Sequence, residues 1–294
     1  MSTVREKRTG IIEVLIAYIM WGFLPLFWNL LGEVPPFYIL FSRALWSLVF
    51  CVVYLSTLKK WDRIKELLKD KGVVKRCLLS GIVICVNWGT FIWAVNHGHM
   101  IDSSLAYYMN PILAILIGTI VFRERLNRIQ WLAVVVTFTG LVITVIRYRQ
   151  IPWIALVIGG TFAVYGALKK TARTDALTSM VVETSMLAPV FLVILLWMER
   201  QGRGAVGILQ GWQWILLPVA GVATSVPLML FSAGMKTTSM SLSGILMYIN
   251  PTLQLLVSVW LYHEEFTTTH AILFAFVWGG LVLYLFSGRQ KKAE

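Results

Sequence analysis

Acidic residues, cysteines and long polar stretches are all scarce in this chain. Only 14 Asp and Glu stand against 26 Lys and Arg, and charged residues make up 14% of the 294 positions. Soluble domains carry about 25% charged and ~45–50% apolar residues. Here hydrophobic residues reach 58% and mean hydropathy is +0.75, a balance that excludes a water-soluble core. The three cysteines, Cys51, Cys77 and Cys85, lie in or beside apolar runs. They read as small buried hydrophobes, with neither a disulfide framework nor a metal motif around them. Also missing are a Gly-rich phosphate loop, a nucleophile elbow and a zinc-protease helix, so ATP hydrolysis and intramembrane proteolysis lack their parts. His97 and His99, near Asp102, are separated by one residue and do not share a helix face. They read as an outer loop with a possible pH-sensing role, not as a metal centre, and no cofactor is implied.

What the chain has in abundance is apolar runs of membrane-spanning length, about 20 residues each. Charged and Pro/Gly breaks divide them into ten expected helices, at about 11–31, 37–58, 73–96, 102–122 and 128–147, then 151–168, 176–198, 212–235, 241–262 and 269–287. The first run follows a basic start and carries no small-residue cleavage site, so it is expected to be the first span and not a signal peptide. Barrel strands of alternating polarity are not seen. Trp61 to Lys71 reads as a short amphipathic segment on the cytoplasmic surface, with Trp61, Ile64, Leu67 and Leu68 on one side.

The net charge of +12 suggests orientation in a membrane more than nucleic acid, which is not expected as a partner. With the N-terminus inside, the outer connections hold only Arg147, Arg149, Arg200 and Arg203, and Arg43 falls within a span. Every other Lys and Arg is cytoplasmic, which places both termini in the cytoplasm of a multi-pass inner-membrane protein.

The stretch Tyr108 to Val142 is written again at Tyr248 to Val282 without a gap. Among the identities are Tyr108/Tyr248, Asn110/Asn250, Pro111/Pro251, Glu124/Glu264 and Gly140/Gly280. Each half carries five expected spans, an odd number, so the second half enters the membrane upside down. The corner Arg123-Glu124-Arg125 with Arg128 correspondingly becomes His263-Glu264-Glu265 with Thr267 and Thr268. The expected fold is therefore an all-α membrane protein of ten transmembrane helices in two inverted five-helix repeats, residues 1–148 and 149–294. Secondary transporters are commonly built on such a plan, with the site near the midplane.

Trp21-Gly22 with Pro25, the run Arg43 to Ser47, Asn87-Trp88, Asn96 to His99, and Ala106 to Pro111 resemble the drug/metabolite transporter superfamily. Within it the chain is most similar to EamA-type permeases of the RarD group, over essentially its whole length. The resemblance implies a permease or exporter of small organic metabolites or drugs, with a central cavity between two repeats and alternating access.

Ionisable and amide side chains within spans are costly and mark candidate sites. Arg43 and Glu183 fall at equivalent repeat positions with opposite signs. Each is expected either to contact a charged substrate or act in proton coupling, or to pair with local backbone or snorkel to an interface. Asn87, Trp88 and Phe91, with Trp21, offer an amide and aromatic surface for an organic molecule, and Asn87 and Phe91 share a helix face. Asn110-Pro111 and Asn250-Pro251 read as hinges, because Pro removes a backbone donor and an adjacent Asn can satisfy the carbonyl released. Tyr108 and Tyr248 are expected to line the opening. Glu124 and Glu264 read as solvated corners that can form gating ion pairs, with Asn127 and Gln130 capping the fifth span. The substrate partner is a small molecule in a lipid bilayer; oligomeric state is not legible. A passive channel would need a continuous polar lining, and a membrane-embedded enzyme a catalytic constellation, neither of which the sequence supplies.

Overall fold

The computed structural model of the chain describes residues 4–97, 99–148, 153–261, 263 and 268–290. Among these no strand occurs, and the chain is a bundle of helices: α1 (Val4–Asn29), α2 (Pro36–Thr57), α3 (Trp61–Lys69), α4 (Lys71–Asn96), α5 (Met100–Ile120) and α6 (Arg128–Tyr148). There follow α7 (Trp153–Lys170), α8 (Ala176–Arg200), a 3-10 turn (Gly211–Ile215), α9 (Leu216–Met235), α10 (Met240–Met247), α11 (Ile249–Leu261) and α12 (Thr268–Gln290). Apolar runs of this length must satisfy each backbone group internally, which is why helices result.

Local chemistry sets the boundaries. Pro36 opens α2, where its missing N–H costs nothing. Asp70 caps α4 by accepting from the Gly72 and Val73 amides, and Asp175 caps α8 by accepting from the Thr178 amide. Asn127 and Gln130 form a reciprocal capping box at α6, each backbone N–H donating to the other's side-chain oxygen at 2.9 and 2.8 Å. This is the cap pair that the sequence predicts.

Seven helical segments among the described residues are long and apolar enough to cross a membrane: Val4–Asn29, Pro36–Thr57, Lys71–Ala94, Arg128–Arg147, Ala176–Arg200, Gly211–Met235 and Met240–Leu261. Leu105–Ile120 and Ala271–Ser287 are apolar but shorter, and Trp153–Lys170 ends in two lysines. The amphipathic segment is α3, whose Leu67 and Ile64 pack on Cys77 and Val182 while Trp61 and Leu68 stay exposed.

Packing runs across the two halves of the chain. α1 lies against α9 and α11, α2 against α8 and α9, α4 against α7 and α8, α5 against α7 and α10, and α6 against α12. At the α5–α10 crossing, a Cβ on Gly244 would stand 2.7 Å from the Pro111 carbonyl oxygen, so only glycine permits that approach. The centre is aromatic: Tyr18, Trp21, Phe162, Tyr165 and Phe231 stack or tilt on one another with centroids 5.3–6.2 Å apart.

Candidate functional site

A cavity of about 570 Å³ opens beside this aromatic cluster. That volume suits a small organic ligand. Helical spacing brings its walls together: Trp21, Leu24, Pro25 and Trp28 recur along one face of α1, Asn87, Trp88 and Phe91 along α4, Ile158 and Phe162 along α7, and Asn250, Gln254 and Ser258 along α11. α2 contributes Arg43, and α5 contributes Tyr107 and Asn110.

The polar groups of the wall are differently engaged. The Asn87 amide donates to the Ile158 carbonyl at 2.6 Å and to the Thr161 hydroxyl at 3.0 Å, so its two donors strap α4 to α7. The Asn250 side-chain oxygen accepts from Gln254 at 2.7 Å, one turn further along α11. The Asn110 side-chain oxygen is buried and has no hydrogen-bond partner. Arg43 places its guanidinium carbon 4.5 Å from the Trp88 ring centroid and 5.3 Å from that of Trp28.

Of the ten residues singled out in the sequence as substrate-contacting, Trp21, Arg43, Asn87, Trp88, Phe91, Asn110 and Asn250 line this cavity. Tyr108 and Tyr248 do not. The Tyr248 hydroxyl, fully buried, donates to the Tyr108 carbonyl at 3.2 Å and ties the two repeated stretches to each other. Tyr107 takes the lining position instead, because one residue along a helix turns the side chain by about 100°.

Glu183 also stands outside the large cavity. It forms an ion pair with Lys169 and accepts from the Ser179 hydroxyl at 2.5 Å, and it borders a small chamber of about 30 Å³. Trp88 and Leu228 line both spaces, and the ion pair of Glu183 among the described residues is with Lys169, not Arg43. Lys169, read from the sequence as a cytoplasmic loop residue, is buried with it.

The two proline sites differ. α5 continues through Pro111, whereas the second copy is interrupted at Tyr248 between α10 and α11. At these sites the Asn110 side-chain oxygen is unpartnered and the Asn250 side-chain oxygen is taken by Gln254. Pro111 and Pro251, next in sequence to the two lining asparagines, are themselves buried and do not line the cavity.

Glu124 is likewise not a solvated corner. Its carboxylate accepts from the Met240 and Ser241 amides at 2.7 and 2.9 Å and from the Ser241 hydroxyl at 2.7 Å, with Lys170 4.0 Å away. A carboxylate there satisfies free amides at the positive end of α10. Its repeat partner Glu264, with Glu265 and Thr267, lies outside the described residues. His97 and His99 both stack on Trp93, with centroids 4.7 and 5.6 Å away.

Residues 8–146 and 151–286 each match the EamA-like transporter family. The chain belongs to that family. This EamA-like transporter is 38% identical over 287 residues to the uncharacterized transporter YojE of Bacillus subtilis, covering 96% of this chain and 95% of that one. It is 35% identical over 286 residues to the protein RarD of Salmonella typhimurium, covering 96% of each. A solved crystal structure with 18% identity superposes with a TM-score of 0.73, over 95% of this chain and 98% of the other, and shares its fold. The EamA-like transporter is thus a multi-pass membrane protein close to RarD, and the cavity is its candidate site.

Proposed function

We propose that the chain is a secondary transporter that carries a small, partly apolar organic molecule across the inner membrane by alternating access. The halves 1–148 and 149–294 form two inverted five-helix repeats of ten spans, with both termini cytoplasmic, and rock about the cavity with Pro111 and Pro251 as hinges. The observation that carries this reading is the cavity itself. Its wall takes Trp21, Arg43 and Asn110 from the first half and Phe162, Asn250 and Gln254 from the second, so relative motion of the halves would reshape it.

The packing supports a two-fold relation between the halves, which the inverted arrangement requires. Exchanging the halves turns the α1–α9 contact into α4–α7, α1–α11 into α5–α7 and α2–α9 into α4–α8, and each of these pairs is present. Arg123 and His263, 140 positions apart, both adopt the left-handed conformation, at φ 53° and 54°.

The test is flux in proteoliposomes loaded from a panel of metabolites and drugs. Saturable uptake accelerated by the same solute inside is the expected result. Unsaturable conductance, or chemical conversion of the solute, sinks the carrier reading. Running the same uptake with and without a pH gradient tells whether protons are coupled to it.

A further inference from the structure

Arg43 brings a positive charge into the cavity wall and has no counter-charge there among the described residues. Among the described residues the wall contains no Asp or Glu, and none of their carboxylates lies within ion-pair distance of the guanidinium. The nearby buried acid, Glu183, stands in the separate chamber and is already neutralised by Lys169. The two aromatic neighbours, Trp28 and Trp88, stabilise the cation through their ring faces. An indole is only a donor, however, and a guanidinium is five donors with no acceptor, so neither ring satisfies an Arg43 N–H. The Nε atom is indeed buried without a hydrogen-bond partner. A cation inside a membrane bundle with a buried N–H left unsatisfied is costly to hold, and an arriving anion relieves that cost.

Resting on the cavity being the transport site, we infer that its substrate is an organic monoanion: one carboxylate or similar acid group on an aromatic or aliphatic body. The acid group docks on the Arg43 N–H edge, where planar guanidinium matches planar carboxylate. The body lies against Trp21, Phe91 and Phe162. The Asn110 oxygen, an acceptor without a donor, suits a hydroxyl or N–H elsewhere on the same molecule. Multiply charged phosphates are disfavoured, since one cation serves one negative charge. Organic cations find an uncompensated like charge.

The experiment uses the purified full chain in detergent and three matched probes: 3-phenylpropionate, its neutral amide 3-phenylpropionamide, and 3-phenylpropylamine. Affinity is read from tryptophan fluorescence, because Trp21, Trp28 and Trp88 line the cavity. The anion should bind about tenfold or more tightly than the amide, and the amine weakest, as expected for one desolvated charge-assisted contact. Arg43→Lys should keep the order with lower affinity for the anion. Arg43→Gln should bind anion and amide alike, and its retained amide binding shows that the variant is folded. Equal affinities in the wild type, preference for the amine, no binding of any probe, or an unchanged anion preference in Arg43→Gln each overturn the inference. Failure here alongside saturable counterflow of some other solute leaves the carrier reading standing. Anion preference without counterflow of any solute removes the carrier reading alone.

Discussion

Lys169 and Glu183 lie 14 residues apart on α7 and α8, with side chains only 1% and 6% exposed. The ammonium also donates to the Ser179 hydroxyl at 3.0 Å and sits 5.1 Å from the Tyr165 ring centroid, so each charge is fully surrounded by partners. Removing one member of such a pair strands the other and costs about 3–5 kcal/mol, whereas replacing both by apolar groups is often near neutral. Lys169→Met should therefore melt well below the wild type in detergent, and Lys169→Met with Glu183→Leu should recover most of the loss. A single variant that melts with the wild type would show that the pair does not lock α7 to α8. The sequence could not distinguish Lys169 from its neighbour. Two adjacent lysines ending an apolar run look alike, yet one turn of about 100° sends Lys169 inward and Lys170 toward Glu124 and the Thr238 carbonyl. Tyr107 and Tyr108 were separated by the same geometry. Residue types that suit a site were legible; which of two neighbours faces it depends on a helix rotation fixed by packing.

Among the elements, the broken pair α10–α11 carries the hinge proposed above. Pro251 has no N–H to offer the Met247 carbonyl, and the helix divides just there, while α5 passes Pro111 intact. Pro251→Ala should restore that bond and slow counterflow several-fold at unchanged ligand affinity, with Pro111→Ala less affected. Equal rates for wild type and Pro251→Ala would remove the hinge. Helix ends hold a second lesson. Asp175 caps α8 through the Thr178 amide at 3.0 Å and hydroxyl at 2.8 Å and meets Arg63 of α3 at 3.1 Å. Burial alone would raise its carboxyl, but these bonds and the guanidinium outweigh burial and hold it below the ordinary 3.8. The unfolded chain then takes the proton more readily, so the stability Asp175 adds is complete above about pH 4 and drains as pH falls through the lower folded value. Asp175→Asn should melt below the wild type at pH 7, with the gap closing below about pH 4; a gap constant down to pH 3 would assign it to packing alone. Caps built from near neighbours, such as Asn127 with Gln130, are readable in a sequence. The cap that Glu124 gives to α10 joins residues 116 positions apart, and only the assembled bundle brings them together.

For the molecule as a whole, the repeat at a fixed offset was visible because identical residues carry it, but the contacts that follow from it were not. The two late glycines of the repeat show the difference. Gly140 lies against Phe276 of α12 and Gly280 against Ala133 and Thr137 of α6, so each half's copy receives a side chain or backbone from the other. Nothing in either stretch read alone names its partner. If the halves are inverted, equivalent corners must face opposite sides of the membrane, and Arg123 and His263 provide the pair to ask. Both are loop residues at the ends of α5 and α11, outside the apolar runs. In a background where Cys51, Cys77 and Cys85 are replaced by Ser, Arg123→Cys should react with an impermeant maleimide only in inside-out vesicles, and His263→Cys only in intact spheroplasts. Asp62→Cys on the amphipathic α3 should follow Arg123→Cys, since the basic connections are cytoplasmic under the positive-inside rule. Labelling of positions 123 and 263 from the same face would end the inverted reading, whatever the cavity proves to bind.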